Sequence, residues 1–169
     1  TDPETVGAPD ESLTFSFGDD ITDQTYTVSW LGYVPEAPPA SGSIGTIYAD
    51  ANNHIELKWN DSSEQFEAVI TSGGSVADTL VCPITRVRWG EPILLTVTSD
   101  GTDITLQAMT PLGQQSDSGT ATLGALPAEL RSGSADGGSV LSMEHAGAAW
   151  SDDALSELGI DELSQIYLL

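Results

Sequence analysis

Asp19, Asp20 and Asp23 place three carboxylates in one short stretch, and Asp50, Asn52 and Asn53 bring together a carboxylate and two amides. Calcium is held by several hard oxygens drawn from carboxylates, side-chain amides and backbone carbonyls, so these clusters are the candidate cation ligands. Neither has the fixed spacing of an EF-hand loop. Asp and Asn also populate turns because their side chains bond their own backbone, so each cluster reads either as a calcium site or as a plain turn. For sugar recognition the useful groups are flat aromatic rings beside amides and carboxylates. Tyr33, Tyr48 and Trp150 fall near strand ends and loops and are the candidate platforms, with packing as the competing role; Trp30, Trp59 and Trp89 fall in an apolar register and belong to a core.

Nucleophilic chemistry has little to work with. The two histidines, His54 and His145, lie far apart and no Gly-x-Ser-x-Gly is present. Cys82 ends the run Thr79-Leu80-Val81-Cys82 and is the single cysteine; it reads as a small buried hydrophobe without a disulfide partner. Asn60-Asp61-Ser62 fits a glycosylation sequon and reads as a turn. The expectation is a chain that is not an enzyme.

Charge narrows the partners. Twenty-six acids face Lys58, Arg86, Arg88 and Arg131, for a formal charge of −22 over 169 residues. Such a surface repels phosphate backbones and anionic lipid, which argues against nucleic-acid and membrane partners. The acids are spread along the chain, as on a protein adapted to high salt or simply an acidic one. If salt adaptation is the cause, molar salt screens the self-repulsion and raises the melting midpoint; an unchanged midpoint excludes it. No stretch approaches the ~20 apolar residues of a membrane span, and residues 1–4 lack the basic flank and apolar core of a secretion signal.

The elements that must position these groups are strands. Leu13, Phe15 and Phe17 alternate with polar residues, as do Tyr26, Val28 and Trp30, with the second strand continuing through Tyr33-Val34. Gly45 to Ala49 is a short strand. Ile55, Leu57 and Trp59 followed by Phe66, Ala68 and Ile70 form a hairpin about the turn at Asn60–Ser63. Leu80 to Cys82 is a strand. Ile93, Leu95 and Val97 pair with Ile104, Leu106 and Ala108 across Asp100-Gly101, a strong hairpin turn. Pro111 to Gly119 reads as a loop, Thr120 to Leu123 as a short strand, and Leu130 to Ser134 as turn-rich. The segment Val140 to Trp150 alternates again, and an acidic helix signal follows from Ser151. There Ser156 and Asp161 are possible caps, and Leu155, Leu158, Leu163, Ile166 and Tyr167 form an apolar face. The whole predicts an all-β domain, a two-sheet antiparallel jelly-roll-like sandwich over 12–169 with a short C-terminal helix and an N-terminal arm over 1–11.

The order of these motifs resembles that of a concanavalin A-like lectin/glucanase domain of the laminin-G-like kind. The likeness rests on Tyr26 to Leu31, Ile47-Tyr48, Ile55 to Trp59, Trp89 to Val97 with its turn at Ser99 to Thr102, Leu130 to Gly133, and the closing Ala154 to Tyr167. The strand at Trp89 lacks the family's paired histidines, and Met143 to Gly147 departs from its usual basic or aromatic pattern. Glucanases of this superfamily carry closely spaced carboxylates on one strand; here Glu56 with Lys58, and Glu64 with Glu67, read instead as solvated strand positions. The resemblance implies rim calcium assisting sugar binding, and a use on tailed phages as decoration and adhesion parts. The expected function is a non-catalytic structural module of a virus particle, a capsid decoration protein or tail appendage on the virion exterior. It would contact coat or tail proteins as a homo-oligomer, a trimer by preference, through the 1–11 arm or Tyr167–Leu169. The alternative is a calcium-assisted carbohydrate-binding module working outside the cell on a glycan; a third reading is a surface-layer or adhesin fragment.

Overall fold

The computed structural model describes residues 14–33, 40–83, 89–132 and 144–154. Through them run β1 (Thr14–Ser16), β2 (Thr25–Tyr33), β3 (Gly42–Asp50), β4 (Asn53–Asn60), β5 (Gln65–Ser72), β6 (Ser75–Pro83), β7 (Ile93–Asp100), β8 (Ile104–Thr110), β9 (Gly113–Gly119), β10 (Glu129–Ser132) and β11 (Glu144–Ser151). They form two antiparallel sheets, one in the order β1-β10-β3-β4-β5-β6 and one in the order β11-β2-β7-β8-β9.

Period-2 alternation builds the core. Ile55, Leu57 and Trp59 of β4 and Phe66, Ala68 and Ile70 of β5 face Tyr26, Val28 and Trp30 of β2 and Leu95, Val97, Leu106 and Ala108 of β7 and β8. Each large side chain buried there contributes about 1.5–3 kcal/mol of transfer free energy. Two clasps join the sheets at their edges. Phe17, just after β1, meets Trp150 of β11 with ring centroids 5.3 Å apart, and the Trp150 indole N–H donates to Asp20 Oδ2 at 2.9 Å. At the opposite edge the Val81 N–H of β6 donates to Asp117 Oδ2 of β9 at 2.9 Å. That carboxylate satisfies an edge-strand donor that would otherwise be open to another chain.

The sandwich and its hairpins match the sequence reading, and three local readings are corrected. Gly113–Gly119 is a strand, although it reads as a loop, because pairing with β8 and the bond to β6 hold a segment with no apolar alternation. Residues 121–123 carry no strand; Leu123 is buried by packing on the core. Leu130–Ser132 belongs to β10, ladder-bonded on both sides, against the turn-rich reading and in keeping with the family strand that Leu130 to Gly133 resembles. Residues 152–153 form a bend; the helix expected beyond them and the arm over 1–11 lie outside the described residues.

Cys82 is fully buried, with its Sγ 3.6 Å from the Leu106 carbonyl oxygen and 3.5 Å from that of Gln115. Burial pushes its thiol up to about 11, so little thiolate exists at neutral pH. A thiol reagent at pH 8 is expected to leave Cys82 unmodified in native protein and to react fully in denaturant. Fast labelling of the native chain would contradict this placement.

Candidate functional site

On β4 the apolar side chains turn inward, so His54, Glu56, Lys58 and Asn60 point to the outer face of the six-stranded sheet. Strand register carries that parity sideways. Lys58 stands between Ser43 of β3 and Glu67 of β5, His54 between Tyr48 and Thr71, Asn60 beside Gln65, and Tyr48 beside Glu129 of β10. Side chains from four neighbouring strands thus share one surface.

The surface is internally bonded. Glu67 is only 8 % exposed although it faces away from the core. A buried carboxylate needs partners, and its Oε1 accepts from Asn60 Nδ2 at 2.7 Å and Gln65 Nε2 at 2.9 Å. The Ser43 hydroxyl donates to Glu56. Arg131 pairs with Glu129 and lies over the Tyr48 ring, its Cζ 3.3 Å from the centroid. Tyr48 in turn stacks near His54 at 6.4 Å and 19°. Lys58, the chain's only lysine, makes no ion pair or hydrogen bond among the described residues. The face therefore offers an aromatic stack, amides and carboxylates fixed by mutual bonds, and the Lys58 ammonium. Those groups can align several donors and acceptors against a polyhydroxylated ligand, with a ring to stack on it.

The candidate platforms do not converge. Tyr48 belongs to this face. Tyr33 sits half-buried at the end of β2, on the outer side of the other sheet. Trp150 follows the inward register opposite Val28 and packs on the core.

The two candidate cation clusters sit in separate turns. In the first, Asp20 receives the Trp150 indole and Asp23 Oδ1 accepts the Thr25 N–H at 2.7 Å; Asp19 is exposed. In the second, both Asp50 oxygens accept from Asn53 Nδ2 at 3.0 Å, and Oδ1 also accepts from the Asn52 N–H at 2.7 Å. Asn53 Oδ1 accepts the N–H groups of Gly73 and Gly124, each at 3.1 Å. These side chains thus tie three loops together. Among the described residues no group of three or more His, Cys, Asp or Glu side chains is placed to hold a metal.

Bonds from Asn53, then from the Asn52 N–H, hold the Asp50 carboxyl below the ordinary carboxylate range. A depressed folded-state value means stability is present above the unfolded-state pKa and lost as pH falls through the folded one. Asn53→Ala removes these donors together with the acceptor for two loop amides. It is expected to cost about 1–2 kcal/mol at pH 7, since water replaces part of what is lost. The gap to the parent should narrow at pH 3 in urea melts; an equal gap at both pH values would contradict the Asp50–Asn53 link.

Sequence reading missed Glu67, Asn60 and Gln65 as a site. Alternation marks them as outward, but only lateral register shows that they meet and that Glu67 is shielded.

Neither a protein-family model nor a curated protein sequence matches the chain. Its fold, however, is shared with solved structures. Galectin-Ib of Xenopus laevis superposes with a TM-score of 0.56 at 10 % identity, over 82 % of this chain and 98 % of that one. A toad ovary galectin in complex with thio-digalactose gives 0.53 at 12 %, over 83 % and 98 %. The enzymatically active domain of tailspike protein 2 from bacteriophage CBA120 gives 0.62 at 13 %, over 94 % of this chain and 26 % of that one. At these identities the likeness is one of fold. The chain shares with these structures the two-sheet antiparallel sandwich that the strand pattern predicts.

Proposed function

We propose that this chain is a non-catalytic, lectin-like carbohydrate-binding module whose glycan lies on the outer face of the six-stranded sheet. The observation that carries the reading is the bonded array of Glu56, Asn60, Gln65 and Glu67 around Lys58, which has no partner among the described residues, with the Tyr48–His54 stack beside it. The fold shared with a galectin solved with thio-digalactose supports it. Absence of catalysis is supported by the carboxylates themselves. A glycoside-cleaving pair needs one free acid and one free base or nucleophile, whereas Glu56 and Glu67 are engaged with Ser43, Asn60 and Gln65.

A glycan array probed with the intact chain tests the reading, once with calcium and once with chelator. Binding in both arms is expected, because Asp50 and Asn53 are already bonded within the turn. Binding only with calcium would make the turns at 19–23 or 50–53 part of the site; no binding in either arm sinks the reading.

A second reading concerns where such a module works. The superposition on a phage tailspike domain over 94 % of this chain favours a place on the exterior of a virus particle. The module would then be a tail appendage or capsid decoration, assembled as a homo-oligomer on tail or coat proteins. Copy counting by mass spectrometry on purified particles separates the cases. Few copies indicate an appendage, near-coat numbers a decoration protein, and none a module that works outside the cell without a virion.

A further inference from the structure

We infer that Asp78 and Asp117 close the β6–β9 edge of the sandwich to strand addition by a second copy of this chain. Among the described residues β6 ends the six-stranded sheet and β9 ends the five-stranded one. An edge strand presents a row of backbone N–H and C=O groups that templates another strand, and inward-pointing charges are one way of blocking it. Both acids stand where an apolar residue is expected. Asp78 lies opposite Ile70 on the β5–β6 ladder and Asp117 opposite Leu106 on the β8–β9 ladder, and Ile70 and Leu106 are fully buried. That parity sends both carboxylates to the interior side of their sheets, where an ionised group is costly without partners.

The partners are backbone donors of the edge strands. Asp78 Oδ1 accepts the Thr79 N–H at 2.8 Å, Asp117 Oδ2 accepts the Val81 N–H at 2.9 Å, and Asp117 Oδ1 accepts the Ser118 N–H at 3.0 Å. Residues two apart on a strand turn their N–H groups to the same side. Val81 donates across to β9, away from β5, so residues 79 and 83 turn the same way. The last of these is Pro83, which has no N–H to offer. Two carboxylates and one proline thus silence the outward donors from Thr79 to Pro83. The fit is close. A Cβ built on Gly119 of β9 would overlap Asp78 Oδ2, so glycine stands where the Asp78 carboxylate lies against β9. Charge adds a second barrier, because pairing two β6 edges would bring Asp78 and Asp117 of both copies together. Molar salt screens that repulsion, whereas the bonded caps remain. A homo-oligomer of this chain therefore uses another surface.

The test compares two double variants of the full chain by sedimentation over a range of concentrations in molar salt. Asp78→Ala with Asp117→Ala removes caps and charge together. Asp78→Asn with Asp117→Asn removes the charge and keeps an acceptor oxygen at each place. The alanine pair is expected to grow beyond the parent's size as concentration rises, and the asparagine pair to keep the parent's size. Thr79→Pro added to the alanine pair deletes a freed donor and should reverse the growth. Growth that survives Thr79→Pro, equal growth of the asparagine pair, or a folded alanine pair that stays at the parent's size overturns the inference. Amide exchange in the single variants decides the matter even where the alanine pair does not fold. Val81 should exchange about 10–100-fold faster in Asp117→Ala than in the parent, and Thr79 likewise in Asp78→Ala, the loss of one hydrogen bond to a charged group. An unchanged rate at either amide contradicts the capping.

Discussion

Trp59→Ala is expected to lower stability by about 3–5 kcal/mol, the cost of emptying a large aromatic site in a packed core. Trp59 is 4 % exposed and sits where β4 and β5 meet the far sheet. Its ring is edge-on to Phe66 at 5.1 Å and to Trp89 at 5.1 Å. Truncation removes both aromatic contacts at once and leaves a cavity that a sheet pinned on each side by ladder bonds relaxes poorly to fill. Against a typical total of about 5–15 kcal/mol for a domain, that loss brings many such chains close to unfolding at 37 °C. Trp59→Phe should cost far less, about 1–2 kcal/mol, because the ring stack survives. It also deletes the Trp59 indole N–H, which is buried and has no hydrogen-bond partner among the described residues, so one desolvation penalty disappears with it. Chemical denaturation of both variants checks the pair. Equal losses would mean that Trp59 acts through something other than its aromatic contacts.

The second large effect is on binding. Lys58→Met is expected to weaken glycan affinity about 10–100-fold, the equivalent of one hydrogen bond to a charged group. Stability should stay within about 0.5 kcal/mol, as is usual for surface changes that break no native contact. The separation is possible because Lys58 makes no bond to the protein among the described residues. Glu67 behaves differently. Glu67→Ala deletes the one oxygen, Oε1, that accepts from both Asn60 and Gln65, so binding and stability should fall together. A Lys58→Met chain that melts earlier than the parent, or that binds as well, would remove the lysine from the site.

Much of this fold is legible in the residues, for a specific reason. Where one face of a strand is buried, a slip of one residue exposes every apolar side chain. Ile55-Glu56-Leu57-Lys58-Trp59 and Ile93 to Val97 therefore announce both a strand and its orientation, and Asp100-Gly101 announces the hairpin. The Asp100 carboxylate accepts the N–H groups of Thr102 at 2.9 Å and Asp103 at 2.8 Å, and Gly101 takes φ +88°. β9 is silent because it is an edge strand held by its backbone and by Asp117, with no apolar residue to alternate.

The site was half legible. His54, Glu56, Lys58 and Asn60 are outward by parity alone, but parity cannot say which strand lies alongside. The solvated reading of Glu67 failed there: its shielding comes from Asn60 on β4 and Gln65 on its own strand, a lateral relation fixed by the β4–β5 register. Asp50, Asn52 and Asn53 show the converse. Their types suit a cation, yet Asn53 spends its oxygen on Gly73 and Gly124, 20 and 71 residues away, and no local spacing encodes bonds of that span.

The central claim is that the outer face of the six-stranded sheet holds a glycan. It is tested most directly by following backbone amide and side-chain signals of the isotope-enriched full chain while the strongest glycan from the array is titrated in. The account predicts shifts concentrated at Tyr48, His54, Lys58, Asn60, Gln65 and Glu67, saturating with one affinity and unchanged by chelator. Shifts centred on the 19–23 or 50–53 turns, shifts confined to the five-stranded sheet, or no saturable shift at all would contradict it.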